Sequence, residues 1–446
     1  MVHRPSIKRR MANLTAPIFI ETLLIMLLGA VDTVMLSQYS DNTVAAVGVV
    51  NQLLNLVFLI FGVTTAGTSV LCSQYLGAGQ SKNMLQVVGL SILFNAAVGI
   101  VCSAALYWGA DRMLSLMELR PELIHDGLSY MQIVGGGAFL QAVSLTLSAV
   151  LRSANKAYYP MMVTLMINIL NIFGNYALIF GKFGFPQLGA EGAAISTTFS
   201  RSVAMLLLFF LLFRKLVRKI PLAYFRPFPM DKFKNLMSIG LPSAGEQISY
   251  SLSQVVITYF INMLGNEALT ARTYAMNIIM FTYLFSMALG QGGGICIGHL
   301  IGERKNRAAL ALGRFCLKWS IIISIGMAIF SAAMGRTVVG FLSSNPEIVR
   351  MTVTVLMIDV VLELGRAVNI FCVYALRSAG DANYPFIVGL VVMWSCAVGG
   401  AYLFGIAFHW GLAGMWWAFT LDENIRAAVL SRRWNSCKWK KYSFVR

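Results

Sequence analysis

The sequence predicts an all-α integral membrane protein: twelve transmembrane helices in two pseudo-symmetric six-helix bundles, related by an axis along the membrane normal. Three observations predict it: an apolar composition, basic residues gathered at every second connector, and an internal repeat. Of 446 residues, 58% are hydrophobic and only 12% charged, and the mean hydropathy is +0.71. Water-soluble domains carry about twice that share of charge. Apolar runs long enough to cross roughly 30 Å of hydrocarbon recur from Leu14 almost to Ser431, and a sliding window separates about twelve of them.

The formal net charge is +17, but its distribution excludes a nucleic-acid partner, because the cations form no single face or tail with interleaved aromatics. They gather at Arg4-Lys8-Arg9-Arg10, Lys82, Arg152-Lys156, Arg214-Lys215-Arg218-Lys219 to Lys234, Arg304-Lys305-Arg307 and Arg432 to Lys441. These positions alternate with cation-poor connectors around Ser40-Asp41-Asn42, Asp111 to Glu122, Lys182 to Gln187, Gly265-Asn266-Glu267, Arg336 to Glu347 and His409. The positive-inside rule then places both termini in the cytoplasm of a multi-pass plasma (inner) membrane protein and requires an even number of spans. The first run follows a basic head and lacks a small-residue cleavage site, so it reads as the first span.

A repeat defines the halves. Leu151-Arg152-Ser153-Ala154 followed by Tyr159-Pro160 returns as Leu376-Arg377-Ser378-Ala379 followed by Tyr384-Pro385, a shift of 376 − 151 = 225. The same shift relates Pro17 to Pro242, Glu21 to Glu246, Gly67 to Gly292 and Gly77 to Gly302. Near the ends, Gly189 to Ala193 faces Gly411 to Met415 at 414 − 192 = 222, which implies a small loop deletion. Six spans return a chain to its starting side, so the halves are parallel. The expected division is an N-terminal lobe 1–213, a cytoplasmic linker 214–234 with Pro221, Pro227 and Pro229, and a C-terminal lobe 235–446 with a basic tail. Such paired bundles carry substrate by alternating access, which makes transport the expected function.

Asp32 lies deep in the first run, where a charged aspartate costs about 2.5–3.5 kcal/mol on insertion scales. It either sits in water at the helix end or is functional, binding a proton, or a sodium ion if other oxygens converge. Asn171 and Asn175, four apart on one helical face, and Thr197 in the next span offer such groups; the competing reading is that they bridge neighbouring helices. The second half carries Glu246, then Asp359, Glu363 and Arg366, then Asp422, Glu423 and Arg426. Glu363–Arg366 and Glu423–Arg426 are spaced i,i+3 and can close local ion pairs, so this set is either a substrate-facing polar network or structural pairing. Pro17 and Pro242 each remove a backbone donor near the start of a half and are candidate hinges. Gly135-Gly136-Gly137 and Gly292-Gly293-Gly294 lack a following Lys-Ser/Thr and read as packing or hinge sites, not nucleotide loops. His299 and Glu303 do not complete HExxH, and the seven cysteines have no CxxC or Cys/His spacing. No cofactor and no metal are expected, sodium at Asp32 aside.

Pro17 through Asp32-Thr33-Val34-Met35, Gln74 to Gly79, the doubled Leu-Arg-Ser-Ala segments and Gly189 to Ala194 together resemble the bacterial multidrug and toxic compound extrusion (MATE) family over essentially the whole chain. The resemblance implies an antiporter that exports amphipathic organic cations or drugs in exchange for protons or sodium, acting as a monomer on small cationic substrates. It maps the first-helix aspartate onto Asp32 and its polar companions onto Asn171, Asn175 and Thr197. Many relatives have aspartate where Asn175 stands, and another branch keeps an acid where Arg366 stands; both departures lean towards protons. Glu246-Gln247 and Gly365 to Asn369 look like the DNA-damage-inducible branch. The expected mechanism has Asp32 take the ion from outside, after which the Pro17 helix shifts and releases substrate. The rival readings are a flippase for lipid-linked oligosaccharides, which has about fourteen spans and a more cationic cavity, and an intramembrane enzyme or channel. No nucleophile–base pattern supports the enzyme. Asp32 has no acidic counterpart at its repeat position, Ile257.

Overall fold

The computed structural model describes residues 7–217 and 220–445; Arg4 and Arg218-Lys219 of the basic groups lie outside the described residues. Every regular element among these residues is helical. The first half comprises α1 (Ile7–Ser37), α2 (Asp41–Gly77), α3 (Ser81–Trp108), the short α4 (Ala110–Leu116), α5 (Pro121–Tyr130), α6 (Ala138–Ser153), α7 (Tyr158–Phe180) and α8 (Gly189–Lys215). The second comprises α9 (Met230–Asn262), α10 (Asn266–Gly302), α11 (Asn306–Leu342), α12 (Pro346–Ser378), α13 (Asn383–Val392) and α14 (Gly411–Asn435). A π turn, Met131–Gly135, extends α5, and two π segments, Met393–Gly399 and Ala401–Ala407, extend α13.

Among the described residues, eight helices are long and apolar enough to cross a membrane, and the bent pair Pro121–Gly135 and Ala138–Ser153 makes a ninth. Adding α9, α12 and α14 gives the twelve predicted spans. These last three carry Glu246, the Asp359–Glu363–Arg366 group and the Asp422–Glu423–Arg426 group. Asp359, Glu363, Asp422 and Arg426 are all buried, so the charge that lowers the helices' hydropathy is held inside the protein. The two glycine triplets differ. Gly135 to Gly137 lies at the 44° bend of the fourth span, whereas Gly292 to Gly294 lies inside α10, packed against Thr15, Phe371 and Ser378.

The chain forms two compact units, one of residues Ala16–Gly240, the other of Leu241–Arg446 with the start of the chain up to Thr15. The linker and the first turns of α9 therefore belong to the N-terminal unit. There Gln86 Nε2 donates to the Tyr224 carbonyl at 2.8 Å, and Phe233 meets Phe94 edge to face at 5.3 Å. The first turns of α1 belong to the C-terminal unit, where Arg10 lies 2.8 Å from His299 Nδ1 and Lys8 sits 4.7 Å above the Phe315 ring. Repeat-matched glycines make both arrangements possible. A Cβ on Gly67 would lie 2.5 Å from the Leu236 carbonyl, and one on Gly292 would lie 2.7 Å from the Thr15 hydroxyl; only glycine allows such approach. Pro17 and Pro242 lie inside the continuous helices α1 and α9, each the second residue after its helix enters the unit to which the rest of it belongs.

Candidate ion and substrate sites

In the N-terminal unit the polar centre is set by how closely α7 and α8 cross. A Cβ on Gly192 would lie 2.6 Å from the Leu178 carbonyl, and Gly174 faces the Ser196 hydroxyl. This crossing brings α7's Asn171 and Asn175, one turn apart, beside Thr197 of α8. Asn171 Nδ2 donates to Thr197 Oγ1 at 3.3 Å, and Asn175 Nδ2 donates to Asn171 Oδ1 at 3.1 Å. The same Asn175 amide donates to Asp32 Oδ1 at 2.7 Å. The Asn171 carbonyl accepts from Ser196 Oγ at 3.0 Å. Both asparagines are buried, and Asp32 is half-buried. All four residues singled out in this half thus form one hydrogen-bonded chain.

Two members of this centre were not anticipated. Arg201 of α8 acts electrostatically on Asp32 and on Tyr130, its guanidinium stacks 5.2 Å over Phe58, and its Nη1 has no hydrogen-bond partner. Tyr130 is buried beside Asn51 and Thr197. An arginine inside the sixth apolar run was the available signal. Grouping basic residues by connector passes over it.

The C-terminal unit holds a cavity of ≈ 340 Å³, within the usual range of small-molecule sites. Gly365 creates its charged wall: a Cβ there would lie 2.7 Å from the Asn424 backbone nitrogen, so α12 and α14 touch and their charged turns lie side by side. The two i,i+3 pairs form as expected, Arg366 Nη1 to Glu363 Oε1 at 2.5 Å and Arg426 Nη2 to Glu423 Oε1 at 3.0 Å. Each arginine also reaches a second acid: Arg366 lies 3.6 Å from Asp359, and Arg426 bonds Asp422. Asn369 Nδ2 donates to Glu423 Oε2 at 2.7 Å, and Arg366 stacks 5.4 Å from the Tyr283 ring centroid.

Glu246 does not join that cluster directly; it accepts from Arg377 Nη2 at 2.6 Å. Its repeat mate Glu21 accepts from Arg152 Nη1 at 3.1 Å. Both members of each pair are shifted by 225 (246 − 21 and 377 − 152). One largely buried ion pair is therefore built twice, joining the first span of each half to the Leu-Arg-Ser-Ala segment that ends its fourth.

Two six-helix units of membrane-spanning length, each with a buried polar centre, define a multi-span membrane transporter. The chain belongs to the MatE family, whose model matches residues 17–177 and again 242–403. The two matches begin one repeat shift apart. A similar protein is the uncharacterized transporter YisQ of Bacillus subtilis, 40% identical over 427 residues, covering 96% of this chain and 94% of that protein. The probable multidrug resistance protein NorM of Thermotoga maritima is 25% identical, with 98% and 94% covered. Among solved structures, a MATE in the bent conformation shares the fold with a TM-score of 0.89 at 20% identity, covering 98% of this chain and 97% of that one. A mutant of the Vibrio cholerae MATE transporter VcmN does so with a TM-score of 0.89 at 16% identity, covering 98% and 99%.

Proposed function

We propose that the protein is a monomeric secondary antiporter of the plasma (inner) membrane, with both termini cytoplasmic, exporting amphipathic organic cations in exchange for protons. The observation that supports this reading is the bond from the Asn175 amide to Asp32. Asp32 is the one carboxylate in that hydrogen-bonded chain, so a single proton abolishes its charge. Its close neighbour offers an N–H, the Asn171 side-chain oxygen is already occupied by the same amide, and a single further buried amide oxygen, Asn175 Oδ1, is without a partner. Hard cations are held by several converging oxygens, which suits a proton here better than sodium.

Ionised Asp32 attracts a cationic substrate; protonated Asp32 does not. A proton arriving from outside therefore weakens the hold on substrate, and its loss to the cytoplasm resets the site. The test is efflux of a fluorescent organic cation from proteoliposomes under proton and sodium gradients imposed separately. A proton gradient alone is expected to drive efflux. Efflux driven by sodium alone would overturn the proton assignment, and efflux indifferent to both would overturn antiport.

A further inference from the structure

Sulfur atoms from three helices gather near the end of the C-terminal unit at which α1 starts. Cys316 Sγ of α11 lies 3.1 Å from Met11 Sδ of α1. Cys296 of α10 is brought to the same place by helix register. α1 and α10 run antiparallel, with Thr15 against Gly292 and Arg10 2.8 Å from His299 Nδ1. Met11, one turn before Thr15, therefore faces Cys296, one turn after Gly292. The same stretch of α10 borders α11, since a Cβ on Gly293 would lie 3.2 Å from Cys316 Sγ, and Cys296 acts electrostatically on Cys316. Met11, Cys296 and Cys316 are all buried. Because they come from three helices, spacing along the chain does not reveal them.

The donors select the ion. Thiolates with a thioether suit copper(I). Structural zinc completes a tetrahedron of four ligands, and among the described residues no group of three His, Cys, Asp or Glu side chains is placed to hold a metal. Two sulfurs bound to one ion at about 2.3 Å each stand roughly 4 Å apart in a trigonal set, so Met11 and Cys316 have to open slightly. An unbranched methionine adapts readily, and Gly293 puts no side chain against Cys316 Sγ.

We propose that Met11, Cys296 and Cys316 form a three-sulfur copper(I) site in the C-terminal unit, tying the first turns of α1 to α10 and α11. Binding replaces the two thiol protons, which leave to water, and the oxidation state of copper does not change. Two thiolates and one monovalent ion carry a single negative charge, which the Arg10 guanidinium, acting electrostatically on Cys296, offsets. Met11 is four residues from the start of α1 (11 − 7), Cys296 six from the end of α10 (302 − 296) and Cys316 ten from the start of α11 (316 − 306). The ion thus enters from that end, about 6 to 15 Å along the helices. The site lies in the other unit from Asp32 and does not rest on proton exchange.

The test is titration of the detergent-purified full-length protein with copper(I), kept reduced by ascorbate under nitrogen, against the chromophoric chelator bicinchoninate. Copper K-edge X-ray absorption on the loaded protein reads the ligands. The wild-type protein is expected to withdraw one copper(I) per chain and to show three sulfur ligands and no others. Cys296→Ser and Cys316→Ser are each expected to lose that copper. Met11→Leu is expected to keep it with affinity lowered roughly 10-fold or more, a cost met even for outer-shell changes. Cys437→Ser, near the end of the chain, is expected to bind as the wild type does. Failure of the wild-type protein to compete for copper, or nitrogen or oxygen ligands in its spectrum, overturns the proposal whether or not the variants fold. Copper retained when both Cys296 and Cys316 are serine, unchanged affinity in Met11→Leu, or loss of copper in Cys437→Ser also overturns it.

Discussion

The two units share a skeleton and oppose each other in chemistry. The N-terminal centre is one carboxylate hydrogen-bonded into amides and hydroxyls, Asp32 with Asn175, Asn171 and Thr197, with Arg201 acting on it but not closing an ion pair. At the repeat shifts these positions become Ile257, Gly400, Cys396 and Phe419 in the second half, and Ile257 is a fully buried core residue. Conversely Asp359, Glu363 and Arg366 map back to Val134, Ala138 and Gln141, and Asp422 and Glu423 to Ser200 and Arg201. Of the ion pairs among the described residues, only the one on the first and fourth spans is common to both. The duplicated fold thus keeps one structural pair and frees the rest of each interior to specialise. An acid outside any ion pair changes charge with one proton. Acids and arginines locked together resist any change in charge.

That contrast can be broken by substitution. The largest effect is expected for Asp32→Asn, which should reduce gradient-driven efflux from proteoliposomes to background, while Glu363→Gln should leave the gradient dependence in place. The opposite result would move coupling to the C-terminal unit. Next are Glu21→Gln and Glu246→Gln. Each strands a mostly buried arginine, at a cost of roughly 3–5 kcal/mol, and the two should lower the unfolding temperature in detergent by similar amounts; a clear inequality would show that the pairs are not equivalent. Gly192→Ala and Gly365→Ala follow, each forcing a Cβ against neighbouring backbone at about 1–3 kcal/mol, read by the same thermal measurement. The smallest expected effect is at the prolines. Pro17→Ala restores a backbone donor in α1 and should slow exchange several-fold without weakening substrate binding, and Pro242→Ala should slow it less. Equal slowing would spread the coupling motion over both units.

The architecture was legible because span length, alternating charge and the repeat each depend on sequence alone. Within the sites, what could be read was whatever lies on one helix: Asn171 with Asn175, Glu363 with Arg366, Glu423 with Arg426. Fixed helical periodicity puts such residues on one face. Contacts between helices were not legible. Glu21 and Arg152 are 131 residues apart, as are Glu246 and Arg377, and neither pairing has a local signature. Asp422, four residues before Arg426, pairs with it as well, beside the i,i+3 partner that the spacing predicts. Arg201, and Arg272 in the wall of the C-terminal cavity, carry no such signal because they lie inside spans, away from the connectors where the alternating charge pattern is read. The lobe limits expected at 213 and 235 differ from the compact units, because glycines at 67 and 292 admit helix turns that sequence order assigns to the other half.

In the mechanism proposed above, the coupling proton resides on Asp32. It is tested most directly by proton release from the detergent-purified protein, followed with a pH-sensitive dye in weakly buffered solution, when an organic cation is added. The wild-type protein and Glu363→Gln are expected to release a proton on binding, and Asp32→Asn to bind the cation with no release. Full proton release from Asp32→Asn, or its loss in Glu363→Gln alone, would contradict the account.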